Sequence, residues 1–216
     1  AGTTGSMTIN TGHATGGKAG DMVFSIGTGN TGSGGDMSIT AGKTTDSARG
    51  GDITLRTGFS TKTSSGSLYV STPNAGTAGI SGEIDIKTGI STKGNSGSYS
   101  LTTGDATGGK AGDMTFKIGT GNIGNGGSFS LDVGDTTGAN GDGGSITVIA
   151  GHVNDGGSND GGSISVTAGH SKGTERSDDG GSISVVAGEA LTGNGGNIDI
   201  ASGWSKSTSS GSFVFT

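Results

Sequence analysis

Cysteine is absent from this 216-residue chain, which excludes a disulfide framework and any thiolate zinc site and leaves the redox compartment undetermined. Proline occurs once, at Pro73, and aromatic residues make up 4% of the chain, too few for an ordinary globular core. Basic residues are outnumbered, 12 Lys and Arg against 18 Asp and Glu, for a net charge of -6. That balance provides no basic face for nucleic acid or an anionic membrane. No apolar run approaches the length of about 18 residues that a spanning helix needs, so no membrane insertion is expected; no leader peptide is visible either. The Asn-x-Ser/Thr sequon is also missing, which leaves the many Ser and Thr hydroxyls as the expected places for sugar, O-linked.

Glycine is what the chain has in excess, 51 residues of it, without the collagen period. Among the glycines, apolar residues recur at fixed places. Aligned on the glycine before each apolar triplet, units begin at Gly5, Gly20, Gly35, Gly51, Gly66, Gly82, Gly97, Gly112, Gly127, Gly144, Gly162, Gly181, Gly196 and Gly211. Most are spaced by 15 or 16 residues, and those beginning at Gly127, Gly144 and Gly162 stretch to 17, 18 and 19. The shared pattern is G-[SDN]-Φ-x-Φ-x-[ATVI]-G, where Φ is apolar, as in "GSISVTAG" at 162–169. A closing glycine ends every complete unit except where Pro73 stands.

Alternation of period two inside a unit predicts a strand with one apolar face. A strand this short cannot bury that face alone, so the repeat predicts stacked coils. The expected fold class is therefore all-β: a single β-solenoid (β-helix) of about 14 coils, 15–19 residues per coil, with a flattened two-faced section favoured over a triangular one and no helices. Its expected inward core includes Ile39, Ile53, Leu55, Ile84, Ile86, Phe116, Leu131, Ile146, Val148, Ile164, Val166, Ile183, Val185, Ile198 and Ile200. Residues 1–216 read as one continuous solenoid segment. In it a six-coil block, 5–96, is partly duplicated from 97 onward: "GSMTINTGHATGGKAGDM" at Gly5 returns 92 residues later as "GSYSLTTGDATGGKAGDM" at Gly97. Duplication of this kind points to part of a longer repeat array. The terminal coils, lacking polar caps, are expected to associate end to end with neighbouring copies.

Several stretches imitate chemistry. "GHATGGKAGDM" (12–22) and "GDATGGKAGDM" (104–114) fill the start of a phosphate loop, yet Ala19 and Ala111 stand where the magnesium-ligating hydroxyl belongs, and a helix pattern does not follow. "GTGNTG" (27–32) and "GTGNIG" (119–124) likewise arise from the glycine lattice rather than from a dinucleotide fold. Acidic residues gather in the long units, making Asp142, Asp155, Asp160, Asp178 and Asp179 the calcium candidates, although their spacing departs from the calcium-binding solenoid repeat. His152, His170 and Glu189 follow the closing glycine in successive units and would form a ladder in stacked coils. Thr15, Thr45, Thr61, Thr92, Thr107 and Thr137 share one column, an ice-binding motif in short solenoids, but Asn30, Asn122, Asn154 and Lys172 interrupt it. Phe59, Ile90 and Trp204 occupy the place after the closing glycine in three similar loops and are the candidate lateral contacts.

"GGSISVTAGHS" (161–171), "GGDMSITAGKT" (34–44) and "STKTSSGSLYVST" (60–72) resemble the long Gly/Ser/Thr-rich repeat proteins of algal and protist cell surfaces and extracellular filaments. The resemblance implies an extracellular or cell-surface structural component. The expected function is a repeat segment of a filament, cell wall or surface appendage that self-associates, with ice binding as the alternative, and an adhesin or a calcium- or carbohydrate-binding surface protein as the second. No nucleophile, paired carboxylate or metal cluster converges in the pattern, so neither enzymatic activity nor a cofactor is expected.

Overall fold

The computed structural model describes residues 2, 4–138, 141–154, 160–173, 178–206 and 208–215. Among them there is no helix and no strand. This overturns the β-solenoid: short bends separate stretches of irregular backbone, and no ladder joins one unit to the next. The chain divides into two compact units, Ala1–Gly112 and Asp113–Thr216. Both are built from the same element.

That element is a seven-residue step followed by a pinched loop. Opening and closing glycines are always seven positions apart, from Gly5–Gly12 to Gly196–Gly203, with Pro73 in the glycine's place after Gly66. All variation in unit length falls in the loop that follows. Each loop is drawn together at a neck, where the opening glycine of the next step lies against the residue preceding the closing glycine. A Cβ added at Gly20 would meet Thr11 at 3.7 Å, at Gly66 Thr57 at 3.5 Å, at Gly162 Ala150 at 3.4 Å and at Gly196 Ala187 at 3.6 Å. In seven necks the opening N–H also donates to the closing carbonyl: Gly51 to Gly42, Gly66 to Gly58, Gly144 to Gly134, Gly162 to Gly151, Gly181 to Gly169, Gly196 to Gly188 and Gly211 to Gly203, at 2.8–2.9 Å. Where Pro73 interrupts the pattern, the Thr72 hydroxyl donates to the Gly82 carbonyl at 3.1 Å instead.

The separation of these partners explains the correction. Stacked coils would pair residues one full repeat apart, 15 or more positions, whereas the neck bonds join residues 8 to 12 positions apart. They close loops rather than extend a ladder. A single bond at a neck fixes little of the glycine-rich chain on either side, and glycine gives up more backbone freedom on ordering than any other residue.

In three steps residues two apart meet on one side of the backbone, although no strand is formed there. Residues two apart lie on one side of an extended backbone, and three such pairs meet: the Lys87 ammonium and the Asp85 carboxylate at 2.5 Å, Ser130 Oγ and Asp132 Oδ2 at 2.9 Å, and the rings of Phe213 and Phe215, with centroids 4.6 Å apart and edge to face.

The expected core is the second correction. Ile39, Ile53, Leu55, Ile84, Ile86, Phe116, Leu131, Ile146, Val148, Ile164, Val166, Ile183, Val185, Ile198 and Ile200 are all exposed, from 50% at Ile198 to 72% at Leu55. No described apolar residue is buried. The chain presents 21851 Å² of accessible surface, against about 9,000 Å² for a compact monomer of its mass and about 30,000 Å² for an unfolded one. Inward and outward have no meaning without a facing layer, so the apolar side chains form a row and not a core.

The necks are sensitive to added volume at two places. A Cβ on Gly35 would lie 2.7 Å from Ile26 Cγ2, and one on Gly127 the same distance from Ile118 Cγ2, closer than packed carbons approach. Gly35→Ala and Gly127→Ala are expected to open their necks, whereas Gly20→Ala, with 3.7 Å to Thr11, keeps its own. Nuclear Overhauser contacts between residue 35 and the Ile26 methyl, lost in the first variant, and between residues 20 and 11, retained in the last, check this directly.

Candidate functional site

Two features repeat along the chain and are candidates for function: the apolar rows of the steps and the tips of the loops. In the rows, each step contributes two large side chains two positions apart, as with Ile164 and Val166, or Ile183 and Val185. In two successive steps the Phe116 and Phe129 rings lie 6.3 Å apart, tilted by 40°. The residue before the closing glycine is the best covered position of many steps. Ala41, Thr57, Thr72, Ala150, Ala168 and Ala187 are half-buried, and the opening glycine of the next step lies against each of them.

Loop tips owe their shape to hydroxyl groups. Ser60 Oγ accepts from the Lys62 and Thr63 amides, at 3.2 and 3.0 Å, and pairs with the Thr63 hydroxyl at 3.0 Å. Ser205 Oγ accepts from the Thr208 amide at 3.0 Å and meets the Thr208 hydroxyl at 2.8 Å. In each case a serine side chain replaces a backbone carbonyl in a local turn, a habit of Ser and Thr in glycine-rich loops. These turns hold Phe59 and Trp204 outward, and Ile90 occupies the same place in the related loop "GISTKGNSG" (89–97); all three are more than 80% exposed. Equivalent loops of the duplicated block also agree in detail. Gly32 and Gly124 adopt the left-handed region, with φ of 73° and 75°, so the same local sequence gives the same local turn twice.

The other sequence candidates do not come together. Lys18, the lysine of the first apparent phosphate loop, pairs with Asp21 at 2.9 Å in full solvent, and Arg49 pairs with Asp52 in the same way. Exposed pairs of this kind contribute little to stability and weaken further with salt. Asp142, Asp160, Asp178 and Asp179 are exposed and converge with no further carboxylate or imidazole into a metal-sized group among the described residues; Asp155 lies outside them. The Asp178 side chain lies against Gly173. His152, His170 and Glu189 are each exposed at the start of separate loops. The threonine column has no strand beneath it to hold its hydroxyls in a flat rank, because that regularity comes from a pleated ladder. No cavity is present among the described residues, and no described helix is long and apolar enough to cross a membrane.

The neck is the feature that reading for strands misses. Its signal is nonetheless in the sequence: the constant seven-residue interval between paired glycines, the small or β-branched residue before the closing one, and the confinement of every insertion to the loop.

No family model matches the chain, and neither a curated protein nor a solved structure shows significant similarity to it.

Proposed function

We propose that the chain is a structural, non-enzymatic repeat segment of extracellular filament, cell-wall or surface-appendage material, and that copies associate through their apolar rows. The observation that carries this reading is the repeated pair of large apolar side chains, present at constant spacing in every step and exposed in all of them. A soluble monomer rarely leaves apolar surface on this scale open to water, because each side chain gains roughly 1.5–3 kcal/mol when fully buried. A second copy carries the same rows at the same intervals, so one chain supplies the other with a partner of matching pitch. Bulky tips at Phe59, Ile90 and Trp204 add lateral contacts between copies on the opposite part of the unit. The threonine- and serine-rich loops remain in solvent, where their hydroxyls accept O-linked sugar and keep the assembled material hydrated.

The test combines mass action with location. Sedimentation of the purified chain over a wide concentration range is expected to show reversible growth in mass, strengthened by the excluded salt sulfate and weakened by urea, as apolar association requires. Antibody raised against the loop at 58–66 is expected to label the outside of the source cell along fibrous material. A monomer at every concentration would remove the self-association, and label confined to the cytoplasm would remove the extracellular role.

A further inference from the structure

We propose that Asn125 and Asn194 are sites of spontaneous deamidation and isoaspartate formation, placed to alter the necks that follow them. Both occur in the same local sequence, Asn-Gly-Gly, in which the last glycine is an opening glycine, Gly127 or Gly196. Each asparagine is exposed, and neither carboxamide has a hydrogen-bond partner among the described residues. The residue that follows, Gly126 or Gly195, has no side chain to shield its amide nitrogen, and a Cβ at Gly126 would meet nothing within 4 Å. At the second site the neck bond to the Gly188 carbonyl, 2.9 Å, is made by the Gly196 N–H, which leaves the Gly195 amide outside it. With no helix or strand holding either segment, the backbone can reach the geometry of attack.

The reaction needs only water. The Gly126 amide nitrogen, as it gives up its proton, bonds to Cγ of Asn125; the Cγ–Nδ2 bond breaks, and ammonia leaves with that proton. The resulting five-membered imide takes up water at one of its two carbonyls. Opening at Cγ gives aspartate with the main chain unchanged. Opening at the α-carbonyl gives isoaspartate, in which the main chain runs through Cγ and is longer by one methylene. Asn194 and Gly195 react in the same way. Either product places a carboxylate two residues before a neck in a chain already at -6, and isoaspartate also lengthens the loop that the neck closes. Gly127 approaches Ile118 so closely that a small shift of the backbone there changes the contact.

Built-in controls make the proposal testable. Asn122 and Asn197 lie within three residues of the reactive sites but precede Ile123 and Ile198, whose branched side chains hinder the same attack; in the duplicate loop Ser33 stands where Asn125 does. The full chain, kept at body temperature in mildly alkaline buffer, is sampled over weeks by peptide mapping that separates aspartate from isoaspartate. Conversion at Asn125 and Asn194 is expected to outpace that at Asn122 and Asn197 by at least an order of magnitude, with isoaspartate present at both. Gly126→Ala and Gly195→Ala are each expected to suppress conversion at the preceding asparagine alone. Equal rates at Asn122 and Asn125, or conversion unaffected by these two variants, would overturn the proposal. Because the readout is covalent, it stands or falls independently of the self-association of the chain.

Discussion

Replacing Ile164 and Val166 together by aspartate is expected to weaken self-association by roughly 30- to 1,000-fold, as covering the two partly exposed side chains is worth about 2–4 kcal/mol. Their exposures of 57% and 71% are the surface still open for a partner to cover. Aspartate at these places is costless in the dilute monomer because both sites face water. It becomes costly only when a second row would have to desolvate the carboxylates. The circular dichroism of the monomer should therefore be unchanged while the concentration dependence of its sedimentation is lost. Ser163→Asp and Ser165→Asp, whose side chains alternate to the other side of the same step, serve as the matched control and are expected to leave association nearly intact. Equal losses from the two double variants would show that charge alone, and not coverage of the apolar row, disperses the copies.

Trypsin gives a second large effect. Arg56 and Lys87 lie inside apolar steps, whereas Lys62 and Lys93 lie in loops, and all four are exposed in the isolated chain. At high dilution the two classes are expected to be cut at comparable rates, since no described segment around them is held in a helix or strand. In assembled material the step sites should be protected by about tenfold or more while the loop sites remain open, because cleavage follows the population in which the site is accessible. The pattern distinguishes association through the rows from association through the loop tips, which would protect Lys62 and Lys93 first. Uniform protection of all four would reject the row as the contact surface.

Local chemistry was legible throughout. The glycine lattice announced its units, the alternation at Asp85/Lys87, Ser130/Asp132 and Phe213/Phe215 placed residues two apart on one side, and the failure of the phosphate-loop pattern at Ala19 and Ala111 agreed with the solvent-exposed pairing of Lys18 with Asp21. Each of these follows from covalent geometry and near neighbours. The exposure of Phe59 and Trp204 has the same local origin, as the serine turns beside them are made within a few residues.

What the amino-acid order determined by itself is the repeat: fourteen openings, a constant seven-residue step, loops of variable length and a row of paired apolar side chains. What only the tertiary structure decided is where the backbone hydrogen bonds go. Alternation shows that one side of a step is apolar but does not say what faces it, and the same pattern serves a stacked coil and an open row equally well. The choice falls to the opening glycines. Seven of their N–H groups donate across the neck to a carbonyl 8 to 12 residues back, as Gly51 does to Gly42 and Gly181 to Gly169. Closing a short loop costs less chain entropy than ordering a whole repeat against its neighbour, and with glycine at the neck no Cβ stands in the way. The loops are therefore settled within the chain, and the apolar rows are left exposed.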